Sequence, residues 1–423
     1  MLKKLLTTLL ILNGTAAYAQ MLPNGTGAVE VGMRQYSVGT SYYDRDGSLK
    51  PIGSKFDSSF TSAEMASGAL GSDLKRLYDE LKKFDSANTG SNSIADQMTL
   101  GHLTGNVESQ TKAQYLGIAY GISDHWNIFG GVPFVSASVK TDLLYDGDNN
   151  ASAVKTYMGN LAFKELQDGL QKASTLSALT VKKQIQDDYG YNDINHWEYS
   201  GVGDVVLGAR TNLVENTGSA PRYKMQLTSQ IELPTGYSDD PDSLTDASIG
   251  KGYVSPVISL QQTLDVNFAT FGLDTGLGFG MPTETVRRIP INDESLIPKD
   301  RKAKVKWEPG LDTKAIGSIG TGTSLLKATY RLGMIEHSKD SYRGELKGNY
   351  ATLERDSATK DVFQEVALQL STVDAFISGA FQIPLIMTLT GHESVAGRGS
   401  YKMQFVELSL ASFFRTNGGS NSR

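Results

Sequence analysis

The chain has 423 residues, with 40 Lys and Arg against 46 Asp and Glu, a formal net charge of −6 and no cysteine. That acidic balance argues against nucleic acid as a partner, because phosphate binding needs surplus Lys and Arg, and the lack of cysteine excludes disulfides, thiolate metal sites and cysteine nucleophiles. Hydrophobic residues make up 39%, low for a soluble globular chain, and past the N-terminus no run nears the roughly 18 apolar residues of a membrane-crossing helix.

Lys3 and Lys4 precede an apolar run over 5–12 and the small-x-small triplet Ala17-Tyr18-Ala19, the order of an export signal. This predicts a signal peptide over 1–19 and a mature chain over 20–423, starting at Gln20. The mature chain keeps 38 basic against 46 acidic residues, a net charge of −8.

A first strand is predicted near 27–39. The long link after it, about 41–105, holds Leu70, Leu74, Leu77, Leu81 and Phe84 at helical spacings of three and four, behind a capping-box sequence Thr61-Ser62-Ala63-Glu64. Two strands then flank a short turn at 121–125, with Tyr120 and Trp126 beside it as interfacial aromatics. The next long link, about 142–198, carries Phe163, Leu166, Leu170, Ala173, Ser177 and Val181 at similar spacing, with Asn160 as N-cap. The two stripes are expected to pack on each other or on a rim; a gate over a mouth is the sharper alternative.

Beyond 200 the pattern is period two. Over 222–236, Tyr223, Met225, Leu227, Ile231 and Leu233 alternate with Lys224, Gln226, Thr228, Gln230 and Glu232. Over 325–337, Leu326, Ala328, Tyr330, Leu332 and Met334 oppose Lys327, Thr329, Arg331 and His337. The segments 361–373, 380–392 and 403–414 repeat the pattern. Alternation puts one apolar and one polar face on each strand. A soluble sandwich alternates too, but its strands are usually five or six residues, whereas these run about ten to thirteen, the length of tilted strands crossing a bilayer. Links alternate short and long, as periplasmic turns and outer loops do. The predicted fold is all-β: a transmembrane antiparallel β-barrel of about twelve strands with helical insertions in long extracellular loops, placed in the outer membrane. Closure would pair the first strand with the last, leaving no backbone edge in lipid.

Three phrases carry a family resemblance: the stretch from Tyr120-Gly-Ile-Ser-Asp-His-Trp to Val-Pro-Phe134, then Gly201-Val-Gly-Asp-Val-Val-Leu-Gly-Ala-Arg210 and Ile231-Glu-Leu-Pro-Thr-Gly236. Over about 114–236 the chain resembles the outer-membrane family associated with the meta-cleavage pathway of phenol degradation, a set assigned to transport. The resemblance implies a transporter-like barrel and transfers no catalytic residue. The last strand, ending near Phe414, resembles the terminal strand that such barrels present to the barrel assembly machinery, although 415–423 extends beyond it.

Candidate chemistry is sparse. The five histidines lack metal-ligand spacing, and His337-Ser338 is the only adjacent Ser/His pair, its side chains expected on opposite strand faces. Asp146-Gly-Asp148-Asn-Asn150 opens like a calcium loop but has Tyr157 where the bidentate Glu belongs. Asp239, Asp240 and Asp242 read as solvated loop charge, with weak divalent binding as the alternative. No catalytic residue, metal or cofactor is predicted, and the chain is not expected to be an enzyme. The expected lumen-lining residues are Glu30, Arg34, Asp204, Arg210, Lys224, Glu232, Asp274, Lys327, Arg331 and Glu365. Signs nearly balance, so strong ion selectivity is not expected. Inward glycines after Asp274, at 276, 278 and 280, leave room on one wall, while opposed charges filling a narrow barrel is the alternative. The expected function is passive uptake of small solutes, hydrophobic or aromatic ones included. The alternatives are a non-conducting scaffold or surface-recognition protein and, further off, a hydrolase. Expected partners are outer-membrane lipid and lipopolysaccharide, the assembly machinery and a small-molecule solute.

Overall fold

A computed structural model of the chain describes residues 21–67, 72–88, 94–159, 164–216, 218, 220–292 and 296–415. The predicted signal peptide, Leu70, Asn160 and Phe163 lie outside the described residues.

Twelve alternating segments hydrogen-bond into one antiparallel sheet that closes on itself. They are β1 (Thr26–Tyr36), β2 (Thr99–Ser123), β3 (Trp126–Asn149), β4 (Val205–Glu215), β5 (Arg222–Leu233), β6 (Ser255–Asp265), β7 (Thr270–Phe279), β8 (Leu311–Gly322), β9 (Leu326–His337), β10 (Thr359–Ser371), β11 (Leu385–Arg398) and β12 (Gln404–Arg415). Sequence neighbours pair throughout, and β1 also pairs with β12, from Thr26 opposite Arg415 to Tyr36 opposite Phe405. Closure leaves these twelve strands without a free edge, the condition for backbone to sit in lipid. At this seam Gly27 lies beneath the Phe414 ring, where a Cβ would come within 2.3 Å.

Side-chain burial follows the alternation. On β1, Val29, Val31 and Met33 are exposed, whereas Glu30 and Arg34 are buried. On β12, Val406, Leu408 and Leu410 face out while Phe405, Glu407 and Ser409 are buried. A soluble protein would not expose so many large apolar side chains in one continuous belt; buried acids and arginines behind an apolar exterior are the arrangement of a transmembrane barrel.

The chain divides into two compact units: residues 1–50, 108–139 and 196–423, and residues 51–107 with 140–195. The first holds most of the barrel. In the second, Thr61 and Glu64 form the predicted capping box, Glu64 N–H donating to Thr61 Oγ1 at 3.4 Å and Thr61 N–H to Glu64 Oε2 at 3.3 Å, and start the helix Ser62–Ser67. The helix Ser72–Asn88 buries Leu77, Leu81 and Phe84. The helix Lys164–Ser174 buries Leu166, Leu170 and Ala173, and a Cβ on Gly169 would lie 3.3 Å from Leu77 Cδ1. The two predicted stripes therefore pack on each other.

Four expectations need correction. The second stripe is not continuous: Ser177 is an N-cap whose Oγ accepts from Thr180 N–H, so a separate helix, Ala178–Asp187, begins there. Strands β2 and β3 run 25 and 24 residues rather than ten to thirteen, because the alternation continues past the barrel length. The strand expected over 380–392 starts at Leu385, since Val373–Ile377 coils into a short helix, Gly379 turns the chain at φ +76°, and Pro384 has no N–H to donate. Finally, Asp239 and Asp242 are neither solvated nor grouped for a metal. Asp239 pairs with Arg287 at 2.9 Å, and Asp242 pairs with Arg288 at 2.9 Å and Lys302 at 2.6 Å. Both arginines lie on a strand, Thr283–Arg288, of a small sheet with Lys302–Glu308 and Ser341–Arg343. Its core is Tyr253, Ile289, Val305, Trp307 and Tyr342.

Candidate functional site in the barrel lumen

The inward side chains sort into a filled wall and an open one. The filled wall crosses β12, β1 and β2, then β11, β10 and β9. Arg34 Nε donates to Glu407 Oε2 at 2.6 Å, its Nη1 donates to Tyr36 Oη at 3.1 Å, and the guanidinium lies 4.3 Å from the centre of the Phe405 ring. Tyr115 Oη is 3.2 Å from both Glu30 and Glu407. His392 is stacked between Phe405 and Phe363, with centroids at 4.4 and 4.8 Å. Its Nδ1 meets Glu365 at 3.0 Å, and Arg331 donates to the other oxygen of Glu365 at 3.2 Å. Arg34 with Glu407, and Arg331 and His392 with Glu365, set opposite groups together, as buried ions need to offset their desolvation.

The open wall faces a cavity of about 140 Å³. Gly272, Gly276 and Gly278 of β7 line it together with Phe129, Val206, Ile316 and Ile335. With no side chain at three of the inward positions of β7, the sheet there approaches the lumen as bare backbone. Asp274 sits among these glycines and takes Lys314 Nζ on Oδ2 at 2.9 Å. Arg210 is buried and spends Nε on Thr228 Oγ1 at 2.9 Å.

Of the expected lumen residues, Arg210, Asp274, Arg331 and Glu365 thus border one cavity, while Glu30 and Arg34 belong to the filled wall. Glu232 is buried against Lys251 Nζ at 2.7 Å. Lys224 lies 3.7 Å from Glu215, and Lys327 stands on the inner parity of β9 with Thr329 and Arg331. Asp204 has a different job. It precedes β4 and accepts N–H groups from Gly236 at 2.9 Å and Lys251 at 2.7 Å, clamping both ends of the 237–250 link. Thr235 completes the clamp, donating to Gly203 O at 2.7 Å and accepting from Val205 N–H at 3.0 Å. Two of the three family-like phrases are therefore the two halves of one clasp. Between its ends residues 243–251 are all buried, so this link is tucked in rather than splayed on the surface.

Sequence reading missed Lys251, which joins Glu232 to Asp312, at 2.9 Å from the latter. It also missed the next members of that chain. His337 Nδ1 lies 2.6 Å from Asp312, and Nε2 lies 2.7 Å from Asp340. The polar parity of His337 on β9 hinted at this; Lys251 and Asp340 lie in loops and carry no periodic signal. Ser338 Oγ accepts from Leu311 N–H at 2.7 Å, so the adjacent serine and histidine are committed to different partners. Among the described residues no three His, Asp or Glu side chains gather as a metal site. In the 237–251 link, burial pushes Asp242 up, but the bonds from Lys302 and Arg288 outweigh it and hold the carboxyl below its ordinary value.

A closed sheet of twelve strands with an apolar outer face and a polar, ion-paired interior is an outer-membrane β-barrel, and the outer membrane is where this protein resides. No family model matches the chain, and no curated protein matches it. Among solved structures the chain is similar to the COG4313 outer membrane channel from Pseudomonas putida F1, at 12% identity over 93% of this chain and 97% of that one, with a TM-score of 0.49. It is also similar to the CymD monoaromatic hydrocarbon channel, at 8% identity over 93% and 90%, TM-score 0.30. A Pseudomonas aeruginosa FadL homologue shows 9% identity over 92% and 90%, TM-score 0.28.

Proposed function

We propose that the protein is a passive outer-membrane channel for small solutes, hydrophobic and aromatic ones included, which enter the lumen along its glycine-lined wall. The observation that carries this reading is the cavity beside β7. Its volume, about 140 Å³, compares with the ~150 Å³ apolar cavity that holds a benzene molecule, and its walls mix Phe129, Val206, Ile316 and Ile335 with polar and charged side chains, Arg210, Asp274 and Lys314 among them. Lumen charges of both signs occur and many are ion-paired, which favours neutral solutes over ions. Lipopolysaccharide outside and the assembly machinery during insertion belong to the same proposal, the latter through the apolar outer parity of β12.

The buried link over 243–251 favours a second reading, a barrel closed at rest and serving as a scaffold. Uptake into proteoliposomes separates the two. Gly276→Trp would place an indole across the cavity, where the Cβ would already lie 3.1 Å from Lys314 Cε. Solute uptake is expected to fall about tenfold or more while the barrel still folds. A wild-type barrel that is well folded and passes neither solute nor current refutes the channel.

A further inference from the structure

Consecutive strands are antiparallel, so alternate links share one end of the barrel. At the end where β1 starts and β12 finishes, these are the links β2–β3, β4–β5, β6–β7, β8–β9 and β10–β11. They fall into two neighbouring kinds. The first two are polar: Asp124 and His125 make one, and Glu215 and Arg222 bracket the other. The next three around the sheet, over 266–269, 323–325 and 372–384, contain a single charged residue, Asp374. Their tips carry large apolar side chains in the open. Phe268 is 78% exposed, Leu325 53% and Ile377 76%, with Phe376, Phe381 and Ile383 exposed in the same link as Ile377. The three links are also tied together, Thr321 Oγ1 donating to Phe268 O at 2.9 Å and Ser371 N–H to Leu325 O at 2.8 Å.

We propose that these three links are seated in phospholipid, at the boundary of acyl chains and headgroups, while the two polar links stand in water. By the rule of short and long links this is the inner, periplasmic leaflet. The proposal rests on the outer-membrane placement of the barrel and not on its passing a solute. Continuity with the lipid-facing belt carries it. Each apolar link adjoins exposed apolar side chains of its own strands, Phe271 on β7, Leu326 on β9 and Leu370 on β10, so the belt runs on into the links. An open apolar patch is costly to leave in water, whereas apolar side chains at the membrane boundary are drawn in, about 5–10 Å deep for amphipathic segments. At the polar links the belt reaches Ile122 and Leu213 and stops at Asp124 and Glu215. The border between the two sectors is marked by the ion pair Arg222–Asp265, at 2.8 Å. With one sector drawn in and the other held out, the barrel leans toward its β6–β11 side.

The chain has no cysteine, so a single introduced cysteine carries a nitroxide label without competing sites. Phe268→Cys, Leu325→Cys and Ile377→Cys report on the apolar links, and His125→Cys and Asn216→Cys on the polar ones. The full mature barrel is reconstituted in vesicles of palmitoyl-oleoyl phosphatidylethanolamine and phosphatidylglycerol. Power saturation in electron paramagnetic resonance then compares collisions with oxygen, which concentrates among acyl chains, and with a nickel chelate, which stays in water. Heat-resistant compact migration on gels confirms that each labelled barrel is folded. Oxygen is expected to dominate at 268, 325 and 377, and the nickel chelate at 125 and 216. Nickel dominating at every site would put all the links in water. Protection of 268, 325 and 377 from both reagents would put a protein over them, a second copy of this chain or another partner. Oxygen dominating at every site would remove the two-sided arrangement. Each of these three results overturns the proposal. The readout needs only a folded barrel in lipid, so it stands or falls apart from the uptake experiment that tests the channel.

Discussion

The two walls of this lumen are built from the same residue types and come out opposite. Both alternate glycine with charge. On the filled wall the glycines lie under aromatic rings from neighbouring strands: a Cβ on Gly32 would meet the Tyr115 ring at 2.1 Å, and one on Gly333 the Phe363 ring at 2.3 Å. On the open wall the nearest atoms to Gly272, Gly276 and Gly278 belong to Ser318, Lys314 and Asp312, with no ring among them. Glycine thus lies under a ring on one side and beside small or flexible side chains on the other, and the deciding factor is what the adjacent strand places in register. The filled wall holds the barrel together; the open wall leaves somewhere for a solute.

The sharpest way to break that comparison is to attack the filled wall and look for a transport effect. Glu407→Ala removes a carboxylate partner of Arg34, in a pair whose side chains are each only 10% exposed. A loss of roughly 3–5 kcal/mol is expected, read as a lower urea midpoint for unfolding from lipid vesicles, with solute uptake unchanged at temperatures where the barrel is folded. A variant that gains uptake without losing stability would mean the filled wall is a plug and not a brace.

A smaller effect is expected at the clasp. Asp204→Ala deletes two charge-assisted bonds, from Gly236 and Lys251, worth roughly 1.5–3 kcal/mol each where fully formed. Limited proteolysis should then cut within 237–250, where the parent chain resists. Since Lys251 also borders the cavity, uptake should change as well; unaltered proteolysis and uptake together would confine the clasp to local geometry.

The smallest effect is a pH dependence of the same link. The Asp242 carboxyl is held below its ordinary value by Lys302 and Arg288 despite burial. A depressed carboxylate contributes stability that is fully present above its unfolded value, near 3.8, and is lost as pH falls through the lower folded one. Cleavage by an acid protease should therefore rise below about pH 4 and be flat between about pH 5 and 8. In Asp242→Asn, this contribution to the pH dependence should vanish.

How much of this could be read from residue order follows from the range of each interaction. Strand alternation is local. Successive side chains point to opposite faces, so the parity of Arg210, Glu232, Asp274, Arg331 and Glu365 was legible in the chain itself, as were the apolar belt, the capping box at Thr61 and the apolar stripes of the helices. The strand number followed from the same periodicity combined with the rule of short and long links. Partnership is not local. Arg34 meets Glu407 across 373 positions because closure sets β1 and β12 in one register. Asp204 leaves the lumen set for the clasp because the link after β5 folds back on it, and Lys251 enters a buried network from a loop without periodicity. A two-residue repeat determines which face a side chain takes, whereas only the closed sheet and its tucked link decide what that side chain touches, and so which wall is packed and which stays open.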